Sequence, residues 1–380
     1  MTTSEWVAWP ANRIWSWQVT RVIGLADFGA SNFAEVYEAV QRIVPDDHAS
    51  WRAEWLGLGE RVEALAKLAV AGGVTDEAAN SYFRACQYYR LAQFFTTGDE
   101  PEKLPLLHRM KEAFKHGITR SHRQLEFVTV PYEGQQLPGY FLPGRSDAAR
   151  RPTLIYLNGA DSLSEEVFFT TGKAVQDFGY NILIFDAPGV GLTLYELGLP
   201  TRPDAEVFVS SAVDYVTSRP DVDGSRIGLL GESFAGYLVP RAATFEPRIK
   251  AAVVWSPIYK LDLSHVLAEP SEPFRRHLMR LIGSTPDTFA EKAAAYSLEG
   301  QLGTLRSRLL LIQGSDDWLI PRPIEAALRI AREAPLGLVD VRVVERDEGV
   351  GGATHCQKDN LHIAHIETLA WFARELSEAG

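Results

Sequence analysis

The chain has 380 residues, 46% of them hydrophobic and 23% charged, with a formal net charge of -11. That acidity argues against nucleic acid or an anionic membrane surface as the main partner, and the length exceeds what a single core usually fills, so a main domain with an appended unit is expected. Cys86 and Cys356 are the two cysteines, too few for a disulfide framework or a cysteine-rich zinc site.

The opening residues lack a basic region ahead of an apolar core, and no run approaches the roughly 18 apolar residues that cross a bilayer. A soluble, cytoplasmic protein is expected. Residues 1–122 read as a helical unit. Six of the nine tryptophans, Trp6, Trp9, Trp15, Trp17, Trp51 and Trp55, lie there. Apolar residues recurring at three and four predict helices over 32–43, 48–71, 75–95 and 104–116, the third opened by Thr75 and Asp76. An all-helical unit cannot extend a sheet and should pack over one as a cap. Its aromatics suit a staple of the helical layer, the wall of an apolar substrate pocket or a homodimer interface. Tyr88 and Tyr89, in the aromatic stretch 81–95, are the strongest pocket-wall candidates. His108, His116 and His122 stand at no metal-ligand spacing.

From Leu125 the period becomes strand-like, opening a second domain over 123–380. Residues 125–131 and 135–142, separated by Glu133 and Gly134, predict a hairpin. The unbroken apolar run 152–158 has the character of a strand buried in a parallel sheet. A helix over 164–178, a strand over 180–185 and a helix over 204–218 follow. Then come a strand over 226–230, a helix over 234–245 and a strand over 249–255. Strand and helix alternate, which predicts a doubly wound, mostly parallel sheet. The alternation pauses over 257–303, where short helices at 261–267 and 273–282 read as a lid insertion. It resumes with a strand over 307–313, a helix over 323–334, a strand over 338–344 and a final helix over 359–376.

The chemistry-bearing residues lie where this alternation turns. Gly231-Glu232-Ser233-Phe234-Ala235 is a near variant of the Gly-x-Ser-x-Gly nucleophile elbow, with small residues on both sides of a sharp strand-to-helix reversal. A serine needs a base and an orienting acid. Asp317 follows the strand 307–313 and stands four residues before Pro321, which makes it a better acid than Asp316. His355 is the single histidine of the glycine-rich loop after strand 338–344. The order Ser233, Asp317, His355 is that of the α/β-hydrolase fold. Oxyanion donors are expected from the backbone N–H groups of Phe234 and of Ala160, in the loop after the strand 152–158. Asp161, Glu232 and Trp318 flank these residues and complete the candidate pocket set with Tyr88 and Tyr89. Asp186 to Gly191 form an Asp-x-Pro-Gly-x-Gly turn, read as structural. His362 and His365 lack a partner at metal spacing and are expected on an exposed helical face, so no metal site is expected.

The helical cap, the aromatic segment 82–89, the loop 159–166 and the three triad loops together resemble one group of α/β hydrolases. The group holds bacterial dihydroxypseudooxynicotine hydrolases, FrsA-like esterases and fungal pigment hydrolases that shorten a polyketide chain. The resemblance implies cleavage of an ester, or of a carbon–carbon bond beside a ketone, with a serine triad and no cofactor, and it places Ser233, Asp317 and His355 in that triad. The departures are Ala235 in the elbow and Glu232 before the serine. A medium-sized, partly apolar acyl metabolite is the expected substrate. Two other readings stand beside this one: elimination of a carboxylate such as acetate with His355 as base, and a catalytically silent binding protein.

Overall fold

The computed structural model describes residues 8, 9, 11–262 and 271–377, and the chain divides into two compact units. The described residues up to Gln124 form the first, together with 271–277; the second runs from Leu125 and resumes at Leu278. The insertion predicted at 257–303 is therefore shared between the units rather than belonging to the second alone. Trp6 and most of the short helix predicted over 261–267 lie outside the described residues.

The first unit contains α1 (Arg13–Gly24), α2 (Phe33–Arg42), α3 (His48–Ala71), α4 (Thr75–Phe94) and α5 (Lys103–Ile118). Asn32 and Asp47 start α2 and α3, each accepting two backbone N–H bonds on its side chain. Helix α1 was not among the predicted elements. Asn12 caps it by accepting from the Trp15 amide, and it buries Ile14, Trp15, Trp17, Val19 and Val22. The tryptophans form the core of this unit. Trp15 and Trp51 lie 4.9 Å apart, Phe95 packs 5.3 Å from Trp15 and 5.1 Å from Trp51, and the Trp51 indole donates to Leu91 O at 2.7 Å. Helices α3 and α4 meet at Gly59, where a Cβ would come within 2.4 Å of the Tyr89 ring.

The second unit is built on eight strands: β1 (Glu126–Tyr132), β2 (Gln135–Leu142), β3 (Arg151–Leu157), β4 (Asn181–Phe185), β5 (Val222–Glu232), β6 (Ile249–Trp255), β7 (Arg308–Gly314) and β8 (Val339–Val344). They lie in the order β1-β2-β4-β3-β5-β6-β7-β8. The first two strands pair antiparallel, β2 pairs antiparallel with β4, and the remaining pairings are parallel. Glu133 and Gly134 both take positive φ (44° and 80°), as a two-residue turn between right-twisted strands requires. Helices pack on the sheet, so all five residues of β4 are buried and β3 and β6 are nearly so. The crossover 164–178 is helical as predicted, with a π turn at Phe168–Gly172. Among the described residues no helix is long and apolar enough to cross a membrane.

Because Trp51 touches Trp15, Trp55 and Phe95 and is fully buried, Trp51→Ala is expected to destabilise the protein by about 3–5 kcal/mol, read as a lowered urea midpoint. Trp51→Phe should recover part of that loss.

Candidate active site

Each chemistry-bearing residue stands at or beyond the carboxyl end of a strand, where open α/β sheets place their sites. Ser233 follows β5 directly and has φ 56°, and the helix Ala235–Phe245 starts two residues later. The reversal is tight. A Cβ on Gly231 would meet Val239 and Ala235 at 2.7 and 2.8 Å, and one on Gly236 would meet Ser256 O at 2.6 Å. The closest backbone approach thus falls on Gly236, which is why Ala235 is tolerated where the usual pentapeptide ends in glycine.

Ser233, His355 and Asp317 come together as a continuous hydrogen-bonded chain. Ser233 Oγ lies 2.9 Å from His355 Nε2, and His355 Nδ1 lies 2.8 Å from Asp317 Oδ2. Histidine and aspartate side chains are both almost wholly buried. Asp317 Oδ1 also accepts from the amides of Leu319 and Ile320, and Oδ2 from Gln313 Nε2. Burial alone would raise the Asp317 pKa. The His355 charge and the hydrogen bonds from His355, Ser256 and Gln313 outweigh it and hold the carboxyl below its ordinary value. For His355, burial opposes the imidazolium, but the adjacent Asp317 carboxylate prevails and puts its pKa above the usual imidazole value. Asp316 faces elsewhere, in an ion pair with Arg346.

The loop after β3 lies against the nucleophile. A Cβ on Gly159 would sit 3.0 Å from Ser233 Cβ. Ser162 holds this loop, its Oγ accepting from Gly159 N at 2.8 Å and its carbonyl from Asn158 Nδ2 at 3.3 Å. Ala160 and Phe234, the residues expected to supply oxyanion donors, follow Gly159 and Ser233 and are buried. Asp161 and Trp318 are half-buried beside Ala160 and Asp317. The turn after β4 is structural: Asp186 accepts from Ser164 Oγ at 2.6 Å and from Leu192 N at 3.1 Å, and a Cβ on Gly191 would collide with its carboxylate.

Tyr88 and Tyr89 are tied within the helical unit. The Tyr88 hydroxyl donates to Glu35 and accepts from Asn32 N, while Tyr89 donates to Glu63 under the Arg109 guanidinium. His365 differs from expectation: it is buried with Nε2 2.6 Å from Thr170 O, and burial pushes its pKa down to about 4. His362 is exposed.

Two further residues, Ser256 and Lys358, escape sequence reasoning, and Glu232, expected in the pocket set, is instead held by Lys358. Ser256, after β6, also has positive φ (58°); its Oγ accepts from Cys356 N at 2.8 Å and its hydroxyl bonds Asp317, so one side chain joins the acid and base loops. Glu232 and Lys358 form a buried ion pair at 2.6 Å between the residue before the nucleophile and a residue three past the base. Tyr156 shares that environment, where burial and the Glu232 charge push its pKa up. No periodicity points to Ser256; for Lys358 the available signal is a lysine three residues past the base and an acid, Glu232, directly before the nucleophile.

The family model for FrsA-like esterases matches residues 32–273, well over half the chain. The chain belongs to the FrsA-like esterase family. That match includes Ser233 and ends before the acid and base loops. The α/β hydrolase gkaG of Penicillium citrinum is 34% identical over 258 residues, which cover 65% of this chain and 60% of that protein. The α/β hydrolase ucsC of an Acremonium species is 35% identical over 263 residues, covering 64% and 53%. The chain thus spans between about half and three fifths of the length of these curated relatives. Among solved structures, 2,6-dihydroxy-pseudo-oxynicotine hydrolase superposes with a TM-score of 0.76 at 21% identity, covering 93% of this chain and 95% of that one. Wild-type AbyA5 gives 0.70 at 23%, covering 90% of each. The shared feature is the fold, that of the α/β hydrolases.

Removing one partner of the buried pair leaves a charge without compensation. Lys358→Met is expected to cost about 3–5 kcal/mol in chemical denaturation, and the double variant Glu232→Gln with Lys358→Met to recover most of it.

Proposed function

We propose that the protein is a serine hydrolase that removes an acyl group, from an ester or from a carbon–carbon bond beside a ketone, through Ser233, His355 and Asp317. The observation that carries this reading is the unbroken chain from Ser233 Oγ through His355 to Asp317, with bonds of 2.9 and 2.8 Å. His355 Nε2 takes the Ser233 proton as Oγ attacks the acyl carbon. Asp317 holds Nδ1–H and stabilises the imidazolium. The amides of Phe234 and Ala160 receive the developing oxyanion. Collapse breaks the bond to the leaving group, which takes the proton from His355; for a carbon leaving group the neighbouring ketone delocalises the charge as an enolate. Water, deprotonated by His355, then releases the acid. Membership of an esterase family and relatives named as hydrolases support the assignment. Cys86 and Cys356 are buried thiols outside any disulfide, which accords with a cytoplasmic setting.

Turnover of acyl esters and β-diketones in oxygen-labelled water tests the reading. One labelled oxygen is expected in the released carboxylate, with Ser233→Ala lowering kcat by about 10⁶-fold. An alkene with an unlabelled carboxylate would instead make His355 an elimination base. Activity requires neutral His355, so it rises with pH through the His355 pKa. Asp317 raises that pKa, which places the acidic limb above the ordinary imidazole value of 6.5. Asp317→Asn should move the limb to lower pH while reducing kcat by about 10⁴-fold. A limb that stays in place in Asp317→Asn would contradict the coupling.

A further inference from the structure

We infer that Ser256 is a positioning residue for the acyl transfer: its hydroxyl bridges the acid loop and the base loop and so keeps His355 aimed at Ser233. The inference rests on the hydrolase reading above. A histidine oriented by an aspartate is already a complete base, so this fourth polar side chain is accounted for by what it holds.

Ser256 stands where the three triad loops converge. One residue earlier, Trp255 O accepts from Ser233 N at 2.9 Å. Ser256 N donates to Ile312 O at 2.9 Å, near the end of β7, from which the acid loop leaves. Its carbonyl oxygen lies against Gly236, where a Cβ would come within 2.6 Å of it. The side chain supplies the remaining link. Its Oγ accepts from Cys356 N at 2.8 Å, and the hydroxyl proton goes to Asp317. Cys356 directly follows His355, so this bond fixes the chain at the base itself.

The side chain, not the backbone, is what this position needs from serine. Ser256 is fully buried with φ 58°, a conformation that glycine adopts freely and other residues adopt at a cost. Glycine there would spare that cost but leave Cys356 N without this partner and Asp317 with one donor fewer. A hydroxyl serves both, because it has one proton to give and lone pairs to receive. The hydroxyl also acts on charge. Its proton points at the Asp317 carboxylate, the group that raises the His355 pKa. Without that proton the carboxylate attracts the imidazolium more strongly, and His355 stays protonated to higher pH. The other titratable groups around His355 are Cys356 in its own loop and the Glu232–Lys358 pair with Tyr156 beside that loop, and all of them remain in the variants below.

The test is the rate at which a fluorophosphonate labels Ser233 on the full chain as a function of pH, a reaction that needs neutral His355 whatever the natural substrate. In Ser256→Ala the maximal rate should fall by about 10- to 100-fold with the half-saturating reagent concentration unchanged, and the acidic limb should move to higher pH. Ser256→Cys, with a weaker donor of similar shape, should lie between the two. Ser256→Gly, which removes the backbone cost, should resemble Ser256→Ala. Circular dichroism establishes that each variant is folded, and where Ser256→Ala does not fold, Ser256→Cys carries the same comparison. A serine that only satisfies a buried amide would lower the urea midpoint and leave rate and limb in place, which would overturn the inference with the hydrolase reading intact. So would labelling of Ser256→Gly as fast as that of the unaltered protein. An unaltered protein that takes no label at Ser233 would remove the hydrolase reading and this inference with it.

Discussion

A serine held in left-handed backbone conformation is the constraint on which this site depends. Ser233 has φ 56°, a region that costs a non-glycine residue about 1–3 kcal/mol and persists where the surroundings over-determine it. The surroundings do so on three sides. Ser233 N donates to Trp255 O, which ties the turn to β6. Gly231 and Gly236 allow side chains and backbone to close to distances a Cβ would forbid. Gly159 brings the loop after β3 onto the serine itself. The hydroxyl is thereby lifted off both strand and helix and presented to His355.

The strain is repeated rather than isolated. Ser256, Cys356 and Gln357 also take positive φ, and Ser256 Oγ meets Cys356 N. Two loops from different strands are locked together at the point where the base must aim, with the Glu232–Lys358 pair adding a second fastening below the nucleophile. A buried ion pair is weak evidence for net stability, since desolvation offsets much of its attraction. Its value here is geometric, for it links the residue beside the nucleophile to the loop that carries the base. Asp317 belongs to the same scheme: five groups bond its carboxylate, so the acid has little freedom to turn and His355 is held in one tautomer.

Much of this was legible in the sequence because it follows from short-range rules. The strand sequence 249–255, the helix 48–71 and the hairpin turn at Glu133 and Gly134 are each fixed by apolar period or turn chemistry, and the structure has them at those residues. The three loops bearing Ser233, Asp317 and His355 follow from strand order. Helix α1 was not legible, since Trp15 and Trp17 stand two apart rather than three or four, and the packing of Trp15 on Trp51 and Phe95 is a tertiary contact. His365 illustrates the same limit: spacing puts it on a helix, but burial against Thr170 is a tertiary fact. Ser256 and Lys358 act through contacts roughly 100 residues distant in sequence, for which no local pattern exists. The sharing of residues 271–277 with the helical unit is likewise a property of the folded chain.

The central claim is that Ser233 is an activated nucleophile, and covalent labelling tests it most directly. Intact mass after exposure to a fluorophosphonate should rise by one adduct per chain, mapped by peptide sequencing to Ser233 and absent from His355→Ala. A folded protein that takes no adduct, or takes it at another residue, would contradict the account.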